Sequence, residues 1–263
     1  MTEQEKESWL KNESINLFVA KEYYHHHAFE ILNAHVNLKN SFTESLDKEI
    51  KIKPRIKKIK ISKKIHENPG IEAKHLNIVI RNLLINIPEN EIKFEVYEEN
   101  GVFYFSSEKS AIGGFDFAIL NHYNNILALR NLCFGQLQYS DGAARWDKFL
   151  RKNKDLSEIA ANLRRAEDVG KNIYFDEENR QRTPLIVGEI QFGNWALAYR
   201  DFFKVLKANV QNSVDCLIYI VPTGNLEKML SDGIVTFDKT KKILDEFSKV
   251  ISVPVWLIGL DVE

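Results

Sequence analysis

The pattern of apolar residues is clearest in the last third of the chain, where near-continuous apolar runs alternate with stretches of period 3.6. PLIVGEIQF (184–192) predicts a buried strand opened by a proline, and NWALAYRDFFKVLKANVQ predicts a helix starting at Trp195. That helix would carry Trp195, Tyr199, Phe202, Leu206 and Val210 on one face. SVDCLIYIVPTG reads as a second buried strand, DKTKKILDEFSKV as an amphipathic helix and VPVWLIGL as a closing strand. NIYFD (172–176) adds a strand before them, joined to 184–192 by the polar turn EENRQRT. Strands that are apolar along their whole length are those covered on both faces, so the pattern predicts an α/β core with a central sheet flanked by helices.

Upstream the pattern is more mixed. The run YYHHHAFEILNAHVNL, with Phe29, Leu32 and Val36 at helical spacing, predicts an amphipathic helix. Residues 51–65 alternate as a strand does, and IKFEVYEENGVFYFSS predicts a hairpin turning at Glu99, Asn100 and Gly101. From about residue 117 to 166 the helical period returns, through Ile126, Leu129 and Leu132 and later Leu156, Ile159 and Leu163. This divides the chain into an amino-terminal helical and β region, 1–115, and a core, 116–263, as two regions or as one continuous domain.

Charge changes the picture at one place. The formal net charge is −1, which by itself does not mark a nucleic-acid binder. KIKPRIKKIKISKK (51–64), however, holds eight of the 36 basic residues and no acid, leaving 28 positive against 37 negative charges elsewhere. Such a segment is either a solvated face or a stripe that follows a phosphate backbone, with Lys57, Lys58 and Lys60 as its central lysines. Two cysteines far apart, Cys133 and Cys216, suggest neither a disulfide framework nor metal-ligand spacing. The charged start MTEQEKESWLKNES and the absence of a long apolar run point to the cytoplasm.

Candidate chemistry concentrates between residues 176 and 194. Glu189 and Gln191 lie two apart in a strand and so project from the same face, among the apolar Ile186, Val187, Ile190 and Phe192. A carboxylate there needs a metal ion, a basic partner or backbone donors. If Asp176 faces Glu189 across the predicted hairpin, two carboxylates and a carboxamide converge, an oxygen-rich set suited to a magnesium-type ion and to phosphodiester cleavage. Glu177, Glu178 and Asp168 are alternatives to Asp176, and pairing of Glu189 with Arg180 or Arg182 is the alternative to a metal. Asn194 reads as the N-cap of the following helix. The histidines at 25, 26, 27 and 35 could suggest metal binding, but consecutive histidines on a helix point in different directions, so they read as a polar helix face or chain surface, and no phosphate-loop or GxSxG sequence occurs.

IVGEIQFGNW, the helix after it, IYIVPTG and VPVWLIGL together resemble the carboxy-terminal half of the BglII-type restriction endonucleases, and more remotely of their BamHI relatives, over about residues 171–261. The resemblance implies the restriction-endonuclease-like PD-(D/E)XK fold, with Asp176, Glu189 and the backbone carbonyl of Ile190 as ligands of Mg2+. Gln191 falls where most of that superfamily has lysine; a carboxamide is neither cationic nor a base, so it would orient the attacking water. Asn194 would approach DNA bases, with Arg200 beside it on the helix. The implied protein is a type II restriction endonuclease: a homodimer cutting double-stranded DNA at a short palindromic site with a GATC centre, paired with a cognate DNA methyltransferase. Residues 1–115 would then clamp DNA or support the dimer. A structure-specific repair or recombination nuclease, a DNA-binding protein without catalysis and a helical interaction module using residues 1–165 are the alternatives.

Overall fold

A computed structural model describes residues 1–61, 64–87, 92–99, 101–105, 114–164, 169–173, 184–212 and 214–263. The chain opens with α1 (Glu3–Leu10), β1 (Ser14–His25), α2 (Ala28–Ala34) and α3 (Val36–Ser45). Next come β2 (Lys48–Lys51), β3 (Pro54–Ile61), β4 (Lys64–Ile71) and α4 (Ala73–Ile85). The middle holds β5 (Ile92–Glu99), β6 (Val102–Phe105), β7 (Phe115–Ile119), α5 (His122–Phe134), α6 (Gly142–Lys152) and α7 (Ser157–Leu163). It closes with β8 (Ile186–Ile190), α8 (Leu197–Asn212), β9 (Cys216–Pro222), α9 (Gly224–Met229), α10 (Phe237–Glu246) and β10 (Val255–Val262).

Two compact units result. The first comprises Met1–Ile92, Gly188–Leu206 and Cys216–Glu263; the second comprises Lys93–Val187 and Lys207–Asp215. This grouping follows contacts across the chain, whereas the expected division at residue 115 follows sequence order.

The first unit is built on a mixed sheet in the order β2, β1, β10, β9, β8. β1 runs antiparallel to both β2 and β10, while β10 and β9 are parallel. Every residue of β9 is buried, as is every residue of β10 except Asp261. The reason is visible in the alternation of β1. Lys21 and Tyr23 reach Phe237 and Asp245 of α10, whereas Tyr24 stacks on Trp256 and meets Phe29 of α2. Helices therefore cover both faces, which is what continuously apolar strands require. The α/β class expected from the pattern, a central mixed sheet flanked by helices, is the one observed.

A separate antiparallel pair, β3 with β4, carries the basic segment. Lys57 turns inward there: its ammonium bonds the carbonyl of Lys228 at 3.0 Å and pairs with Asp232 at 2.8 Å. Lys58 and Lys60 stay exposed. In the second unit β5 and β6 form the expected hairpin, with Glu99 opposite Val102; Asn100 lies outside the described residues. Asn125 of α5 clasps β6, accepting from the N–H of Phe103 and donating to its carbonyl, each at 2.8 Å. Both cysteines are free and buried, and burial pushes the Cys133 thiol up to about 11.

Several expectations are corrected. The helix over YYHHHAFEILNAHVNL begins only at Ala28, because Tyr23, Tyr24 and His25 extend β1 opposite Leu257, Trp256 and Val255. Pairing with an apolar neighbour strand outweighs local helical spacing, and Phe29 and Val36 end up exposed. His25 is thus strand rather than helix surface, buried against the carbonyl of Ile251 at 2.9 Å. The helical region expected from residue 117 starts at His122, behind the buried strand β7. The expected strand 172–176 has Asn172 and Ile173 outside any strand, and its remainder lies outside the described residues.

Asp261 at the end of β10 accepts the N–H groups of Asn225 and Leu226, fixing the start of α9, to which Lys57 is tied. Gly224 makes this turn possible: its φ is +55°, and a Cβ would collide with the Asp261 carboxylate. Gly224→Ala is expected to lower stability by about 1–3 kcal/mol, seen as a lower urea midpoint; an unchanged midpoint would contradict this account of the turn.

Candidate active site

β8 ends in Gly188, Glu189 and Ile190, all buried, and Gln191 follows directly. β8 and β9 run in the same direction, since Asp215 N–H bonds Leu185 O and Gln191 N–H bonds Ile220 O, each at 2.9 Å. The strand pleat sends Glu189 and Gln191 to one side, where α8 packs. Glu189 is 4% exposed and Gln191 7%.

The helix answers with polar groups of its own. Asp201 and Lys204, three apart and so on one helix face, both turn toward the strand. Lys204 forms an ion pair with Glu189 Oε1 and lies 3.6 Å from Asp201 Oδ1. Gln191 Nε2 donates to Asp201 Oδ2 at 2.9 Å, and its Oε1 accepts from Gly193 N–H at 2.9 Å. This fixes the carboxamide's orientation, because a carboxylate can only accept and a backbone N–H can only donate. Gly193 leaves room for the arrangement: a Cβ there would stand 2.8 Å from Gln191 Oε1.

Asp201 is the centre of this cluster and is fully buried. Besides Gln191 and Lys204, Tyr219 of β9 donates its hydroxyl to Oδ2 at 3.1 Å, and Arg200 brings Nε and a terminal nitrogen to Oδ1 at 3.2 and 3.0 Å. Burial, with the charges of Asp201 and Glu189, raises the Tyr219 hydroxyl well above its ordinary value, so it stays a donor. Burial works against the charge on Arg200, but the hydrogen bond and charge of Asp201 outweigh it and raise the guanidinium.

The buried face of α8 differs from the expected one. Ala198, Asp201, Phe202, Val205 and Ala208 face inward, while Trp195 is half exposed and Val210 is 86% exposed. The apolar stripe is displaced because Asp201 and Lys204 are held inward by Gln191 and Glu189. Sequence reasoning missed both residues. The signal available was a polar pair spaced i, i+3 in phase with Ala198, Phe202 and Val205.

Glu189, Ile190 and Gln191 are thus brought to one place beside α8, while Asp176, like Arg180 and Arg182, lies outside the described residues. Asn194 is exposed, and α8 begins at Leu197, not at Trp195. Its side chain accepts from Ala196 N–H at 2.9 Å, a turn before the helix rather than the expected cap of a helix starting next to it. The backbone around it is pinned to 233–235, through Trp195 N–H to Gly233 O and Val235 N–H to Gly193 O. Arg200 keeps its side chain 60% exposed while holding Asp201. Lys57 is occupied within the fold, and Lys58 and Lys60 are exposed on the β3–β4 pair.

Solved structures that resemble the chain include two of BglII. One is the restriction endonuclease BglII complexed with a DNA 16-mer, at 13% identity and TM-score 0.42, covering 91% of this chain and 74% of that one. The other is free BglII, at 10% identity and TM-score 0.39, covering 91% and 77%. No curated protein matches significantly. The family described as restriction endonuclease BglII/BglIII matches residues 20–260. That reaches well beyond the 171–261 resemblance and takes in β1, which belongs to the core sheet rather than to an appendage. With almost the whole chain matched, this protein belongs to the BglII/BglIII family of restriction endonucleases and is a type II, site-specific deoxyribonuclease.

Proposed function

We infer that the chain acts in the cytoplasm as a homodimer, cutting both strands of a short palindromic DNA site with a GATC centre by Mg2+-dependent hydrolysis. A cognate methyltransferase would protect the same site in host DNA. No helix among the described residues is long and apolar enough to cross a membrane. The observation that carries the reading is the convergence of Glu189 and Gln191 with Asp201 and Lys204 at the end of β8.

Restriction endonucleases of this family generally use a divalent metal. The residues at the end of β8 suit a hard cation in kind, since the Glu189 and Asp201 carboxylates already converge on one, the ammonium of Lys204. Among the described residues no group of three or more His, Cys, Asp or Glu side chains encloses a metal position. Asp176 is proposed to complete the ligand set with Glu189 and the carbonyl of Ile190. Bound there, the ion would supply an acidified water and stabilise charge on the scissile phosphate.

The chain's own residues do the positioning. Gln191, with its carboxamide oriented by Asp201 and Gly193, has a second N–H and a second lone pair available to orient the attacking water. So oriented, a water giving its proton to solvent would add to phosphorus as the P–O bond to the sugar oxygen opposite it breaks, that oxygen taking up a proton from solvent, with each subunit cutting one strand. Asn194, exposed on a backbone pinned to 233–235, reads bases, and Arg200 contacts the adjacent phosphate. Lys58 and Lys60 follow the DNA backbone, whereas Lys57 anchors their hairpin to α9.

Three measurements test this. Glu189→Ala should lower cleavage in magnesium by more than about 1,000-fold while specific binding by gel shift stays within a few fold; full activity would sink the site. Reversing Lys58 and Lys60 to Glu should weaken binding to all sequences alike and flatten log K against log salt by about 0.9 for each phosphate no longer neutralised. Sequencing the ends of digested phage DNA should give one palindromic site, and cleavage confined to branched or damaged substrates would contradict the reading.

A further inference from the structure

We propose that Lys204 is the positive group of the catalytic centre, delivered from α8 to the position that the carboxamide at residue 191 leaves without charge. The inference rests on Glu189 being the catalytic carboxylate, as proposed above.

Three observations carry it. First, charge: Gln191 can orient a water but offers no cation, and Lys204 places an ammonium against the carboxylate two residues before it. Second, aim: Lys204 does not reach Glu189 as a flexible surface side chain. Its side chain is 9% exposed, against 5% for Glu189 and 0% for Asp201, and Asp201 lies 3.6 Å from its ammonium. Third, shared support: the carboxylate that steadies Lys204 also takes Gln191 Nε2 on its other oxygen. One buried acid therefore sets the positions of a neutral hydrogen-bonding group and a positive one, from a strand and from a helix. A lysine needed only to neutralise Glu189 would require no link to Gln191.

Lys204 acts through Glu189 and is a positioning residue for it. With the ammonium resting on Glu189 Oε1, it competes with a divalent ion for that oxygen in the free protein and holds the carboxylate in place for it. Removing the ammonium should therefore ease ion binding while slowing the chemistry, two effects of opposite direction that a loss of packing would not produce together.

The test uses the full-length protein and three variants: Lys204→Met, the double variant Gln191→Lys with Lys204→Met, and Glu189→Ala. Cleavage is followed in single turnover, Mn2+ binding by calorimetry without DNA, and specific binding by gel shift. Lys204→Met is expected to cleave about 100-fold more slowly, to bind Mn2+ more tightly and to keep its DNA affinity within a few fold. The double variant, whose ammonium sits at 191 beside Asp201, is expected to recover at least tenfold of that rate. The proposal is overturned if Lys204→Met cleaves within threefold of the parent, if its Mn2+ affinity falls, or if the double variant recovers nothing. Should Lys204→Met fail to fold, the double variant decides alone: cleavage within tenfold of the parent supports the proposal and inactivity overturns it. Glu189→Ala separates the two readings, because activity in that variant defeats the catalytic assignment itself, whereas its inactivity beside an active Lys204→Met defeats only the role of Lys204.

Discussion

A carboxylate with no access to water must be surrounded by donors before the chain around it can fold, and Asp201 meets that demand from every side. Lys204 and Arg200 from its own helix, Tyr219 from β9 and Gln191 from the end of β8 all point to it. Removing a buried ion from water costs several kcal/mol, and losing one partner of a buried pair typically costs about 3–5 kcal/mol. The cluster therefore locks the rotation of α8 about its axis. Only one face of the helix can present Asp201 and Lys204 to Gln191 and Glu189 at once, and the apolar residues that pack beside them follow from that choice.

The same constraint links stability to chemistry. Glu189 is reached by an ammonium because α8 is held in one rotation, and Gln191 has one amide orientation because Asp201 and Gly193 differ in what they can accept or donate. If this cluster is the catalytic site, as proposed, its polar groups are already held by one another in the free chain, which is what electrostatic preorganisation requires. Its cost is a helix that buries two charged residues in place of apolar ones.

Around this centre the fold anchors part of its basic segment and leaves the rest exposed. β9 and β10 form a core covered on both faces, and Asp261 at its edge holds α9, which in turn holds Lys57 of the basic hairpin. The most basic segment of the chain is thereby divided: one lysine is used inside the protein, and its neighbours Lys58 and Lys60 face solvent. Composition alone treats the three alike.

Much of the core is legible in the sequence, because a strand buried on both faces must be largely apolar, as β9 is throughout and β8 and β10 are apart from Glu189 and Asp261. The hairpin of β5 and β6 is legible for the same kind of local reason, a turn between two alternating runs. Glu189 and Gln191 stand out as polar residues in an apolar strand, and the two-residue pleat already puts them on one side. What the sequence does not decide is what lies across from them. The end of β1 reads as helix because its partner, β10, is more than two hundred residues away, and periodicity misplaces the buried face of α8 because it counts Asp201 and Lys204 as solvent-facing. Both errors have one cause: local patterns record each residue's own preferences, whereas a strand end paired with a distant strand, or a charge paired across elements, is placed by a partner that only the tertiary structure brings to it.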